Sequence, residues 1–253
     1  MTELIKTALA TLITFCLILA LWSFATGPGG LPPSALPPLP DVIDALNVGW
    51  LRGNLYPHIA FTAKAAFAGL LIGVALGAIS GAIVVLVPFL EPFVVPIVVG
   101  LQSTPKIAIA PLIIAYVGYG VESKIFTAAL LAFFPVFVAA VQGLRSLDPL
   151  ILDLYRAFSA SRIHILLHAR LPASAPYMFA GLQVAVMLSL IGTIVSEFVA
   201  STRGLGFIIK SRAQEFDVSM MFASIITLAI MGVTGTFIIQ ALQRKMVFWI
   251  RHP

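Results

Sequence analysis

Residues 145–172 read RSLDPLILDLYRAFSASRIHILLHARLP and hold six of the 25 charged residues of the chain. The chain as a whole is 60% hydrophobic and 10% charged, with a mean hydropathy of +1.07. On both sides of the polar stretch lie uncharged runs that approach or exceed the ~20 helical residues needed to cross a bilayer core. Backbone amides in lipid must be paired within their own segment, so such runs form helices. The contrast predicts an all-α integral membrane protein of about six spans. The polar stretch is then the part that reaches something outside the membrane.

Within that stretch, Asp148-Pro149 is a helix start: the carboxylate can accept an orphan amide, and proline is preorganised for the first turn. A short helix is expected from there to about Phe158. Ser159 and Ser161 allow a break and a second capped start, and Leu171-Pro172 is expected to close the unit before the next span. The expected result is a helix–turn–helix lying on the membrane surface.

Working outward, spans are expected over residues 125–144 before the polar stretch and over 176–199 and 220–242 after it. Residues 59–86 form another, in which Ala65, Gly69, Gly73, Gly77 and Gly81 recur every fourth residue. That spacing lays a stripe without side chains along one helix face, a surface for close helix packing or, alternatively, for substrate approach. Between them, residues 92–117 are apolar but interrupted at Ser103-Thr104-Pro105-Lys106, which leaves open one bent span or two pieces. The first span, residues 7–24, is too long for the apolar part of a signal peptide and reads as retained. Residues 27–40, with six prolines, are expected to be extended and solvated, followed by a short amphipathic piece from Asp41 and Asp44 to Trp50.

Six spans place both termini on one side. Lys6, Arg145, Arg156, Arg162, Arg170, Arg244, Lys245 and Arg251 would share that side, eight basic residues against five on the other (Arg52, Lys124, Arg203, Lys210 and Arg212). The bias points to cytoplasmic termini and a cytoplasmic polar segment. The 253 residues fit one membrane domain, 1–253, with no separate soluble unit. Cys16 is the one cysteine, so neither a disulfide framework nor a cysteine metal site is expected. The net charge of +5 suits anionic lipid head groups or an acidic partner. Its scattered basic residues do not suit nucleic acid.

The polar stretch resembles the cytoplasmic loop of the permease subunits of bacterial ABC importers, with its Glu-Ala-Ala, Gly, Leu-Pro signature. Asp153 stands where that family has Glu and Ser159 where it usually has Gly. Leu171-Pro172 matches the closing pair, while Leu154 and Tyr155 replace the paired alanines. PASAPYMFAGLQVAV (172–186), STPKIAIAPLIIAYVGYG (103–120) and SEFVASTRGLGFII (196–209) resemble further family segments, in the branch serving nitrate, sulfonates, taurine, bicarbonate and pyrimidine precursors. The resemblance implies a type I importer permease fold, with a coupling helix seated in a groove on a separate ATPase. Asp153, Arg156 and Arg162 would be polar contacts there, Ser159 the turn, and Leu154, Tyr155 and Phe158 the apolar anchors. It implies as partners two ATPase subunits that bind ATP and Mg, a periplasmic or lipid-anchored substrate-binding protein, membrane lipid and a second permease copy in a homodimer. The chain has no G-x-x-x-x-G-K-[ST] loop, so no cofactor and no nucleotide hydrolysis are expected in it.

His164 and His168 have the i, i+4 spacing of metal ligands but lack a third partner, so no metal site is expected. Glu197, near the end of the fifth span, would line or gate the translocation pathway, or would cap or pair locally, with Arg203 the nearest candidate. Lys106 would either line the pathway for an anionic solute or bond carbonyls freed by the Pro105 kink. Two other functions would leave different signatures. A stand-alone secondary transporter or channel would call for paired intramembrane charges or an inverted repeat, and an intramembrane hydrolase for G-x-S-x-G or H-E-x-x-H; neither rival has its motif.

Overall fold

The computed structural model describes residues 2–249. Arg251, one of the cations counted above for orientation, lies outside the described residues. Every regular element is helical among those described: α1 (Thr2–Ala25), α2 (Leu39–Leu51), α3 (Tyr56–Leu86), α4 (Glu91–Gln102), α5 (Ala110–Val117), α6 (Val121–Arg145), α7 (Pro149–Ala157), α8 (Arg162–Ile165), α9 (Leu171–Val199), α10 (Leu205–Gln214) and α11 (Val218–Met246).

Among the described residues, four helices are long and apolar enough to cross a membrane: α3, α6, the 38 residues from Arg162 to Val199, and α11. The pair formed by Pro88–Gln102 and Lys106–Val117 is bent by 86°. Residues 92–117 thus contain two helical pieces meeting at a corner, the geometry of a sharply broken span or of a re-entrant loop. Pro105 has no N–H to continue the helix, and Lys106–Ile109 is wound as a 3-10 turn. The apolar part of α1, Leu9–Ala25, is a further and shorter hydrophobic helix.

Three helices form the centre, with α6 between α3 and α9. In the most apolar window of α6, 67% of residues are buried, against 22% in α11, so α6 is the axis of the fold and α11 its flank. The stripe on α3 explains how α6 is approached. Ala65, Gly69, Gly73, Gly77 and Gly81 are all buried, and a Cβ added at Gly77 would lie 2.8 Å from the Phe133 carbonyl and 3.0 Å from the Phe137 amide of α6. At Gly73 it would lie 2.6 Å from the Ala129 carbonyl. Backbone meets backbone along the whole contact, which allows dispersion contact where lipid gives no hydrophobic drive between helices. Small residues of α6 (Ala128, Ala132 and Ala140) answer the glycines from the other side.

Two expectations are corrected. Residues 27–40 are not extended: they fold into successive turns, Leu31 bonding back to Ala25 and the Trp22 indole donating to the Pro37 carbonyl at 2.9 Å. Leu171-Pro172 is not a stop either. The backbone passes from α8 through a π-helical turn, Leu166–Arg170, straight into α9. Proline cannot donate to the carbonyl four residues back and its ring presses on it; a widened preceding turn accommodates both effects without ending the helix.

The packing generates a direct test. Gly77→Leu forces α3 off the backbone of α6 and should cost on the order of 3 kcal/mol or more, whereas Leu76→Ala alters a side chain that is 57% exposed. Size-exclusion profiles and unfolding midpoints in detergent should fall sharply for Gly77→Leu alone; equal behaviour of the two variants would remove the packing argument.

Candidate functional site

The polar segment builds one surface. Asp148 caps α7, its Oδ1 accepting from the Leu150 amide at 2.8 Å, with Pro149 opening the helix. The helix stops because Ser159 adopts φ +56°, a left-handed conformation that suits glycine best. Its amide donates to the Arg156 carbonyl at 2.9 Å, and that of Ala160 to Tyr155 at 3.0 Å. Ser161 then caps α8 by accepting from the His164 amide at 3.2 Å. Ile165 and Ala169 are buried and fix the unit to the helical core.

No residue of α7 is buried. Leu150, Leu154 and Phe158, four residues apart, form one row and are 77%, 57% and 80% exposed. Tyr155 is half-buried and packs on His164, ring centroids 6.2 Å apart; with Leu154 and Phe158 these two line a hollow at the turn. Asp153 and Arg156 pair at 3.2 Å on the solvent side. Arg162 turns inward to the end of α3, donating to the Leu86 carbonyl at 3.4 Å. The row thus contains Leu150, which sequence reasoning omitted although the i, i+4 spacing could have supplied it. His164 and His168 stack at 4.2 Å, and Nδ1 of His168 sits 3.1 Å from the His164 carbonyl. Among the described residues, no three His, Cys, Asp or Glu gather as a metal site.

Glu197 belongs to the other end of the bundle. It is 1% exposed, accepting from the Thr62 hydroxyl and from the Gly206 amide, both at 2.8 Å. Thr62 also accepts from the Leu205 amide at 2.9 Å, and His58 Nδ1 from the Gly204 amide at 3.1 Å. The amides of the N-cap residue Gly204 and of the first two residues of α10, which have no partner within that helix, are therefore satisfied by side chains of α3 and α9, and the carboxylate sits at the positive end of the helix dipole. Gly204, at φ +104°, has no room for a Cβ against that carboxylate. The hydrogen bonds of Glu197 thus go to Thr62 and Gly206 rather than to Arg203.

Beside this clasp, Lys124 is 1% exposed and donates to the carbonyls of Tyr119 (2.9 Å) and Ala200 (2.6 Å), fastening α6 to the C-terminal end of α9. Sequence reasoning had counted Lys124 among loop cations. Its place in the first turn of an apolar span, just after Gly118 and Gly120, was the available signal. Lys106 stands at the 86° corner, its ammonium donating to the Gln102 carbonyl at 2.6 Å and lying 4.6 Å from the centre of the Phe134 ring. The structure thus separates Lys106 at the corner from Glu197 in the clasp and from the α7 surface.

Comparison with known proteins agrees with this architecture. Residues 54–252 match the family described as "Binding-protein-dependent transport system inner membrane component". The riboflavin transport system permease protein RibX of Chloroflexus aurantiacus is 32% identical over 242 residues, covering 96% of this chain and 90% of that protein. The aliphatic sulfonates transport permease protein SsuC of Escherichia coli, itself named as putative, is 30% identical over 232 residues, covering 92% and 88%. An inward-facing structure of the MetNI methionine ABC transporter superposes with a TM-score of 0.63 at 19% identity, over 79% of this chain and 97% of that one, a likeness of fold. The helical spans, the capped surface segment and the matched length make this chain a multi-pass transport permease rather than an enzyme, and a member of the binding-protein-dependent transport system inner membrane component family.

Proposed function

We propose that this chain is the membrane-spanning subunit of an ATP-driven ABC importer, that it works as a homodimer, and that α7 is its coupling helix. Two ATPase subunits would bind ATP and Mg, and a periplasmic or lipid-anchored binding protein would deliver solute from the opposite side. The termini and α7 would face the cytoplasm. One observation supports this reading above the others: the exposed row Leu150, Leu154 and Phe158 on a helix with no buried residue. An apolar row of that kind is an anchor awaiting a groove, with Asp153 and Arg156 as its polar rim and Ser159 setting the angle of the turn. Closure of the ATPases would move α7 and, through the unbroken helix from Arg162 to Val199, the spans that open to one side or the other.

The solute we assign is small: an anion, a sulfonate or a pyrimidine-type compound. The name of SsuC supports the sulfonate member of that range, and the cation Lys106 suits an anionic member of it. In this reading Lys106 lines the pathway at the corner of the broken span. Glu197 serves it at one remove, by holding α10 against α3 and α9.

Two measurements test the assignment. Asp153→Lys with Arg156→Glu keeps their mutual i, i+3 pair yet inverts the rim presented to a partner. It should lower binding-protein-stimulated ATP hydrolysis and uptake by about ten-fold or more, with insertion and dimerisation unchanged. Normal coupling in that variant would refute the docking surface. For Lys106, the comparison is between Gln and Arg in reconstituted liposomes. Arg should preserve uptake per ATP and Gln should reduce it most at low salt, where an unscreened cation matters most. Wild-type behaviour of Lys106→Gln at every salt concentration would confine Lys106 to the carbonyl at the kink.

A further inference from the structure

Behind α7, on the face away from the Leu150–Leu154–Phe158 row, lies a second cavity, of about 290 Å³. It is bounded by Leu86 and Pro88 at the end of α3, by Leu152 and Arg156 of α7, and by Arg162 and Arg170 at the start of the long fifth helix. Three arginines from two elements therefore line one hollow, and no acidic residue does. Asp153 pairs with Arg156 from the solvent side, and the nearby Arg145 is paired with Glu91. Among the described residues, Arg162 reaches only the Leu86 carbonyl, at 3.4 Å. Arg170 makes no hydrogen bond or ion pair among the described residues, and the charges that bear on it, Arg156 and Arg145, are of its own sign.

Like charges gathered around a half-apolar hollow are held at a cost unless an anion joins them. The guanidinium fork matches phosphate oxygens two at a time. The hollow sits where the apolar run of α3 ends and that of the fifth span begins, the level of lipid head groups. Leu86, Pro88 and Ile165 supply an apolar side against which a glycerol backbone and the first methylenes of a chain can rest. The volume is at the floor of the range for small-molecule pockets, room for a phosphodiester head rather than a nucleotide. A protein partner seated on the exposed row would lie on the opposite side of α7 and would meet this cavity only at its edge, at Arg156.

We propose that this cavity binds the phosphate of an anionic phospholipid, held by Arg162 and Arg170 with Arg156 at its edge, and that the lipid pins α7 to the end of α3. The proposal rests on the membrane embedding of the chain and is independent of whether α7 docks an ATPase.

The test uses the full-length permease, delipidated in detergent and titrated with short-chain phosphatidylglycerol or phosphatidylcholine, with bound lipid counted by native mass spectrometry. One phosphatidylglycerol per chain should be retained in preference to phosphatidylcholine, and should raise the unfolding midpoint of the wild-type protein. Arg162→Gln with Arg170→Gln should weaken that binding by about thirty-fold. Arg170→Lys should recover part of it, and Arg244→Gln with Lys245→Gln, on α11, should leave it unchanged. Equal retention of the two lipids by wild type, or undiminished binding by the double variant, would overturn the site. Displacement by millimolar inorganic phosphate would replace the lipid with a free anion, and loss of the lipid on adding the ATPase would give the cavity to an acidic side chain of that partner. Either result refutes a lipid site. The wild-type comparison stands even where the double variant fails to fold.

Discussion

Everything in this molecule depends on how closely α3 can approach α6. In water a helix pair gains from removing apolar area from solvent, but lipid tails are as apolar as leucine and that gain vanishes. What remains is dispersion and short backbone contact, both of which fall off within an ångström or so of separation. The stripe from Ala65 to Gly81 meets the constraint by offering no side chain beyond a methyl, and α6 answers with alanines. With its other side α6 receives α9, where Gly181 faces Ala139 and Gly192 faces the Thr127 carbonyl. The three-helix centre is thus assembled from small residues on both of its interfaces. The bulky residues Phe67, Leu71 and Ile79 are left to the outside of α3.

The parts legible in the sequence were those with a local physical cause. The spans were visible because lipid imposes length and composition, the small-residue stripe because helical periodicity projects every fourth residue onto one face. The Asp148 and Ser161 caps were visible because each satisfies an amide within three residues of itself. Ser159 is a related case: the family's glycine preference there becomes intelligible once its φ is seen to be +56°. Boundaries were less legible. Leu171-Pro172 reads as a stop because proline normally ends a helix, and only the π-helical turn ahead of it shows how the helix continues. Trp22 drawing Pro37 back was likewise invisible, since it joins residues 15 apart through a loop that composition alone describes as extended.

Least legible was the clasp at the far end, because each of its bonds joins segments distant in sequence. Thr62 and Glu197 are 135 residues apart, and Lys124 reaches Ala200 across 76. A lone carboxylate or ammonium in an apolar sequence announces that it must be satisfied, but not by what. The Gly-Leu-Gly at 204–206 carried more information than was drawn from it. One glycine adopts a left-handed backbone against the carboxylate and the other donates its amide to that same carboxylate, so motif and acid form a single device.

The two ends are not independent. From Arg162 to Val199 the backbone is one helix of 38 residues, about 57 Å long at the usual rise, with α7 hinged to its start at Ser159–Ala160 and the Glu197 clasp at its finish. A displacement imposed on α7 can be absorbed at the hinge or transmitted along the helix, and the burial of Ile165 and Ala169 favours transmission by fixing the first turns to the core. At the far end the clasp ties the same helix to α3 through Thr62, to α6 through Lys124 and to α10 through Gly206. No one of those elements can shift alone without exposing a buried carboxylate, a buried ammonium or the first amides of α10, each of which is costly away from water. In the proposed importer these helices would therefore move as a block, as a lever that carries a push from one membrane face toward the other requires.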